Sequence, residues 1–111
     1  MSQSDFGLSA VTIAAIRQIF AQDSAVELAV LFGSRAKGTH RPGSDIDLVL
    51  VGAKLDIDRL GRLTRQLEES SIPYQIDLCW LQTINNPALL GHIERVGKVF
   101  YVRNALHDES T

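Results

Sequence analysis

The sequence is that of a small acidic chain, 111 residues long, with a formal net charge of −2 and 45% hydrophobic residues. This length and apolar fraction favour one folded domain and leave no room for a second core. No apolar run reaches the roughly 18 residues of a membrane-spanning helix, and the polar start resembles no secretory signal. With Cys79 as its one cysteine, the chain forms no internal disulfide, so we expect a cytoplasmic protein. The acidic balance argues against nucleic acid as a direct ligand.

The first half of the chain predicts one helix followed by two strands. A cap at Ser9 and a one-sided apolar pattern predict a helix that runs to about Gln22. The apolar run from Val26 to Phe32 predicts a buried strand. A basic loop containing the turn signal Pro42-Gly43 follows, and a second strand is predicted from Asp45 to Val51.

The second half predicts two more helices that alternate with two more strands. Apolar residues spaced by three or four predict a helix from Asp56 to Glu69, which Pro73 separates from the next element. A strand is predicted from Gln75 to Leu81, a short helix from Pro87 to Val96, and a last strand from Lys98 to Arg103.

This order of elements predicts an α/β (α+β) fold. We expect a small mixed β-sheet of about four strands with helices packed on one side. The whole chain, residues 1–111, is predicted to be a single domain with its core at about 8–103. The ends, residues 1–5 and 104–111, are expected to be loose.

Three aspartates lie in or beside the predicted strands. Asp45 and Asp47 project from the same face of the second strand, roughly 6 to 7 Å apart along the backbone. Asp77 is the one acid between Ser70 and Gly91 and lies in the third strand. An ionised carboxylate in a central strand is costly unless it is paired or bound to a metal. If the two strands are neighbours, the three carboxylates meet at one end of the sheet and can bind hard cations.

A glycine-flanked, basic loop precedes these acids. Gly33 and Ser34 follow the first strand, and Arg35 and Lys37 lie in a stretch without acidic residues. Backbone N–H groups and positive charge suit a metal-chelated polyphosphate, and a glycine lets the backbone approach a phosphate closely. Taken alone, Gly33-Ser34 is more typical of an ordinary strand-to-helix turn. The spacing to the paired aspartates is what makes a nucleotide site the preferred interpretation.

Gly33-Ser34, a spacer, Asp45-x-Asp47 at the start of a strand, and Asp77 on a later strand resemble the signature of the DNA polymerase beta-like nucleotidyltransferase superfamily. The short chain further resembles its minimal nucleotidyltransferase (MNT) group, the antitoxins of HEPN/MNT pairs. The resemblance implies a nucleotidyltransferase fold. It also implies two Mg2+ ions, with Mn2+ as the alternative, held by Asp45, Asp47 and Asp77.

The resemblance also implies roles for the remaining site residues. Ser34 and the amides near Gly33 would contact the β- and γ-phosphates of ATP or another nucleoside triphosphate, and Arg35 or Lys37 would offset their charge. Asp77 would act as general base or only as a metal ligand, a choice that the sequence leaves open.

The implied acceptor is a tyrosine of a helical HEPN-domain toxin, which would receive AMP and be silenced. Two alternatives stay open: a partner-binding module without turnover, and a stand-alone enzyme acting on a small molecule or an RNA end. The histidines His40, His92 and His107 show no mutual metal spacing, so we interpret them as surface or hydrogen-bonded side chains. Cys79 is interpreted as a core thiol.

Overall fold

Four strands form one mixed sheet in the computed structural model, which describes residues 6–103. The strands are β1 (Leu28–Phe32), β2 (Ile46–Val51), β3 (Ile76–Trp80) and β4 (Lys98–Val102). Their order in the sheet is β3-β2-β1-β4. Strands β2 and β3 run parallel, whereas β1 pairs antiparallel with both β2 and β4. The predicted small mixed sheet is therefore confirmed, and the predictions for residues 1–5 and 104–111 lie outside the described residues.

Each of the three longer helices begins at a side-chain cap that the sequence supplies. The helices are α1 (Ala10–Ala21), α2 (Ser34–Lys37), α3 (Ile57–Glu69) and α4 (Pro87–Val96). The caps of α1, α3 and α4 are Ser9, Asp56 and Asn86, whose side-chain oxygens accept hydrogen bonds from backbone N–H groups of the first turn. Across residues 6–103, no helix is long and apolar enough to cross a membrane.

Strand ends differ from the predicted ones by one or two residues, and two segments form helical turns that the sequence did not predict. The predicted basic loop after β1 begins with a single helical turn, α2, which ends at Gly38 in the left-handed conformation. The third strand stops at Trp80, one residue early, because Leu81–Thr83 forms a turn of 3-10 helix. This turn is fixed by the Thr83 hydroxyl, which donates a hydrogen bond of 2.7 Å to the carbonyl of Trp80.

Different helices pack on the two faces of the sheet. Helices α1 and α3 pack on one face and form the hydrophobic core with it. The largest fully buried core side chains include Ile16, Phe20, Leu31, Ile46, Leu48, Leu50 and Leu63. Helix α4 packs against β1, where His92 contacts Phe32 on the opposite face. The prediction of helices on one side thus describes α1 and α3, while α4 helps to bury the second face around the candidate site.

Candidate active site

The three predicted acids meet at one end of the sheet. Asp47 and Asp77 are direct register partners across the parallel strands β2 and β3, so their side chains project from the same face. Asp45 lies one residue before β2 and two before Asp47, so the two side chains project from the same face of the sheet. The N–H of Ile46 donates to the carbonyl of Gln75 at 2.9 Å, and this bond continues the pairing of the strands up to Asp45.

Asp47 is the most enclosed of the three acids, being half-buried where Asp45 and Asp77 are exposed. Burial raises the pKa of the Asp47 carboxyl, and the negative charges of Asp77 and Asp45 raise it further, while His92 lowers it. Burial and the neighbouring acids therefore both disfavour the ionised form of Asp47 in the folded protein. Such a carboxylate set has the chemistry of a site for a hard divalent cation.

The side chains are not drawn together into a closed metal cage. Within residues 6–103, no three His, Cys, Asp or Glu side chains are grouped so that they could hold a metal ion. The backbone nevertheless places Asp47 beside Asp77 and near Asp45. Binding of a cation would therefore require rotation of the exposed Asp45 and Asp77 side chains, the second of which accepts a hydrogen bond of 3.4 Å from the Gln75 side chain.

Gly33 packs directly against Asp47. Phe32, the last residue of β1, is the register partner of Asp47, and the chain then turns away with Gly33 at φ 78° and ψ −156°. This combination is essentially restricted to glycine. A Cβ atom at Gly33 would also overlap the Asp47 carboxylate. The glycine is thus required both by the backbone and by the close approach of the turn to the acid.

His92 on α4 holds this turn in place. Its Nε2 accepts a hydrogen bond of 3.1 Å from the N–H of Gly33, and its ring meets the Phe32 ring edge-on at 6.2 Å between centroids. The interpretation of His92 as a hydrogen-bonded side chain is correct, but its place at the site was missed. No sequence spacing signals a contact between residues 59 positions apart. This hydrogen bond occupies the N–H of Gly33, in the turn whose amides the resemblance assigns to phosphate binding.

The two basic residues predicted for the site lie in different environments. Arg35 is 3% exposed, and its guanidinium donates to the carbonyls of Ser44 and Phe6. Its charge is thus directed into the protein and is not brought to the aspartates. Lys37 is exposed on α2, and Ser34 is the half-buried first residue of that turn. Ser34 and Lys37 are therefore the members of the predicted phosphate-binding set that remain accessible.

Cys79 follows Asp77 on the same face of β3. Burial raises the pKa of its thiol, and the charges of Asp47 and Asp77 add to the effect. A thiol that is held protonated is a poor nucleophile. The interpretation of Cys79 as a core thiol is wrong in its place, because the residue is half-buried on the face of the aspartates and outside the hydrophobic core. His107 lies outside the described residues.

Residues 14–106 match a family model described as Polymerase beta, Nucleotidyltransferase. The chain belongs to this family. The match spans both Gly33-Ser34 and all three aspartates, and it confirms the nucleotidyltransferase fold predicted from the sequence. A search of curated proteins gave no match.

Solved structures of toxin–antitoxin proteins share the fold. A chain in a toxin–antitoxin crystal structure with AMP-PNP aligns with a TM-score of 0.65 and 25% identity, covering 88% of this chain and 77% of that one. A chain from tri-AMPylated Shewanella oneidensis HEPN toxin in complex with MNT antitoxin gives 0.62 and 23%, with 89% and 76% covered. The toxin–antitoxin MntA–HepT gives 0.63 and 22%, with 91% and 78% covered. The first match bears out the resemblance to toxin–antitoxin proteins, and the last two show the shared fold alone.

Proposed function

We propose that this chain is a metal-dependent nucleotidyltransferase that transfers AMP from ATP to a hydroxyl of a separate protein. The observation that carries the proposal is the register of Asp47 with Asp77, with the Gly33 turn packed against Asp47. This arrangement places a candidate phosphate-binding turn directly beside clustered carboxylates. Family membership supports transferase activity, and the relative with AMP-PNP supports an adenine nucleotide as the donor.

The donor set fits divalent cations, because three carboxylates lie on one face at one end of the sheet; burial of Asp47 and the charges of Asp77 and Asp45 raise the pKa of the Asp47 carboxyl. Asp45 and Asp47 would hold the ion that chelates the triphosphate, and the two together with Asp77 would hold a second ion. When bound, such ions neutralise phosphate charge and lower the pKa of an attacking hydroxyl. We propose Mg2+ as the usual ion.

The chain's own residues orient the nucleotide. The Ser34 hydroxyl and the amides of α2 would donate hydrogen bonds to phosphate oxygens, and exposed Lys37 would offset part of their charge. In the transfer, the acceptor oxygen bonds to the α-phosphorus, the bond from that phosphorus to the bridging oxygen breaks, and pyrophosphate leaves. Asp77 would orient the acceptor hydroxyl or take its proton, a role that its exposure on the outer strand β3 supports.

The exposure of Asp45 and Asp77 supports a protein as the acceptor. In-line attack needs the acceptor oxygen held about 3 to 3.5 Å from phosphorus, with water excluded. Within residues 6–103, Asp45 and Asp77 are exposed, which supports a second protein as the group that holds the acceptor and excludes water. We propose that a helical HEPN-domain toxin completes the site and presents a tyrosine, and that this chain acts as its antitoxin in the cytoplasm.

Intact-mass spectrometry tests this proposal. The chain is mixed with Mg-ATP and the HEPN protein encoded beside it, and increments of AMP mass are expected on a tyrosine of that partner. Asp77→Asn should still bind ATP but lose roughly 100-fold or more in transfer rate, since it removes a group that acts on the acceptor. Alpha,beta-methylene ATP, in which the bond to be broken is replaced, should give no product. A stable complex whose partner stays unmodified would favour the binding-module alternative.

A further inference from the structure

Arg35 lies where four segments of the fold meet. It belongs to α2, and its side chain is 3% exposed. Its Nε and Nη2 both donate to the Ser44 carbonyl, at 3.2 and 3.0 Å, and its Nη1 donates to the Phe6 carbonyl at 2.9 Å. The guanidinium carbon lies 5.0 Å from the centre of the Tyr74 ring. One side chain thus joins α2 to the chain start, to the loop before β2 and to the segment before β3.

The contacts of Arg35 require the shape of arginine as well as its charge. A buried cation is costly unless hydrogen bonds and nearby dipoles compensate for lost water. Here two N–H groups of one planar fork reach the same carbonyl of Ser44, and the central carbon of the fork lies over the Tyr74 ring. A lysine ammonium is a compact charge that cannot reproduce the fork.

The carbonyl held by Arg35 belongs to the residue immediately before Asp45. Ser44 ends a tight turn in which the Arg41 N–H donates to the Ser44 hydroxyl at 2.8 Å and the Ser44 N–H donates to the Arg41 carbonyl at 2.9 Å. Gly43 provides the positive φ, 88°, that the turn needs. Arg35 therefore fixes a rigid turn at the point where it leads into the first aspartate.

We infer that Arg35 is a positioning residue that sets Asp45 relative to the turn at Ser34, and that it does not bind the phosphates itself. Since Arg35 directly follows Ser34, one set of hydrogen bonds couples the proposed phosphate side of the site to its metal side. This consequence rests on the proposed function, whereas the anchoring of the loop does not. Arg35 thus acts through Asp45, and Lys37 is left as the phosphate-facing cation.

Two variants of the same helical turn separate these roles. Arg35→Lys keeps the charge and removes the fork, while Lys37→Met removes the exposed charge and leaves the fork. Hydrogen exchange of the free protein reports the loop amides at 43–46. Calorimetric titration of ATP at several Mg2+ concentrations reports the metal requirement. Circular dichroism confirms that each variant is folded.

In Arg35→Lys, exchange at 43–46 should accelerate about tenfold or more while the amides of β1 keep their protection. The Mg2+ concentration for half-maximal ATP binding should rise about tenfold, a usual effect of losing a residue that orients a metal ligand. At saturating Mg2+ the ATP affinity should return to near wild type. Lys37→Met should leave exchange at 43–46 unchanged and should weaken ATP binding at every Mg2+ concentration.

Unchanged exchange at 43–46 in Arg35→Lys, or an ATP affinity that stays low at saturating Mg2+, would overturn the inference. If Arg35→Lys does not fold, Tyr74→Leu removes only the ring beneath the guanidinium, and it should accelerate exchange at 43–46 in the same direction. A wild type that shows no Mg2+-dependent ATP binding would refute the proposed function. The exchange data would still decide whether Arg35 anchors the loop.

Discussion

At the scale of single residues, the site is dominated by the electrostatics of Asp47. This carboxylate is half-buried, it lies beside Asp77 of the neighbouring strand, and Gly33 packs against it. Burial and the two neighbouring acids make its ionised form unfavourable in the folded protein. The same clustering that would attract a divalent cation therefore destabilises the fold without one.

Replacing this charge should stabilise the metal-free protein at neutral pH. Because the pKa of Asp47 is raised in the folded state, the folded protein binds a proton there more tightly than the unfolded chain does. The penalty is present above the folded-state pKa and is gone below the ordinary value of 3.8. Asp47→Asn should therefore raise the Tm at pH 7 in EDTA, and the gain should shrink as the pH falls towards 3.8.

Thermal unfolding of both proteins across this pH range measures the effect. Asp58→Asn, at an exposed position in the first turn of α3, where a negative charge favours the helix, is a control for removing one such charge away from the site. It should lack the pH-dependent gain. A Tm of Asp47→Asn at or below that of wild type at pH 7 would contradict the electrostatic account of the site.

At the scale of elements, local sequence patterns predicted most of the helices and strands. The cap at Ser9 and the apolar patterns of both segments predicted α1 and α3 to within a residue or two. The turn α2 was missed, because four residues between two glycines carry no helical period. The partners of Arg35 and His92 were also missed, since they depend on the tertiary fold. An arginine is usually exposed, so its position in a basic loop suggested phosphate binding.

The turn α2 offers a matched pair of glycines for testing the close approach to Asp47. Gly33 and Gly38 both have positive φ, at 78° and 80°, but a Cβ at Gly38 would meet no atom within 4 Å. Gly38→Ala should cost about 1 kcal/mol, from the left-handed backbone alone. Gly33→Ala should cost about 3 kcal/mol or more, because its conformation is rarer and its Cβ would displace the carboxylate.

Urea unfolding measures the loss in free energy of unfolding for each variant, and titration with Mg-ATP measures nucleotide binding. Gly33→Ala should also abolish nucleotide binding, whereas Gly38→Ala should retain it. Equal losses of stability in the two variants would show that the backbone conformation alone matters, and that the contact between Gly33 and Asp47 does not constrain the turn.

At the scale of the whole molecule, the site lies in an exposed position at one end of a four-stranded sheet. Strand β3, which carries Asp77, is the outermost strand on that side. Two of the three acids are exposed, and within residues 6–103 no preformed cage for a metal is present. Nucleotide and metal should therefore bind together, each supplying charge that the other needs, and binding should stabilise the fold as a unit.

This coupling predicts how the melting temperature responds to ligands. ATP with Mg2+ at about a hundred times the dissociation constant should add roughly 2.7 kcal/mol to the free energy of unfolding. At roughly 4 °C or more per kcal/mol for a domain of this size, the Tm should rise by about 10 °C. Mg2+ alone should give a smaller rise, since it offsets the repulsion around Asp47 without the contacts to phosphate. ATP in excess EDTA should give none, because the triphosphate would then add negative charge beside uncompensated carboxylates. A rise with ATP in EDTA equal to that with Mg-ATP would refute a metal-bridged site at these aspartates.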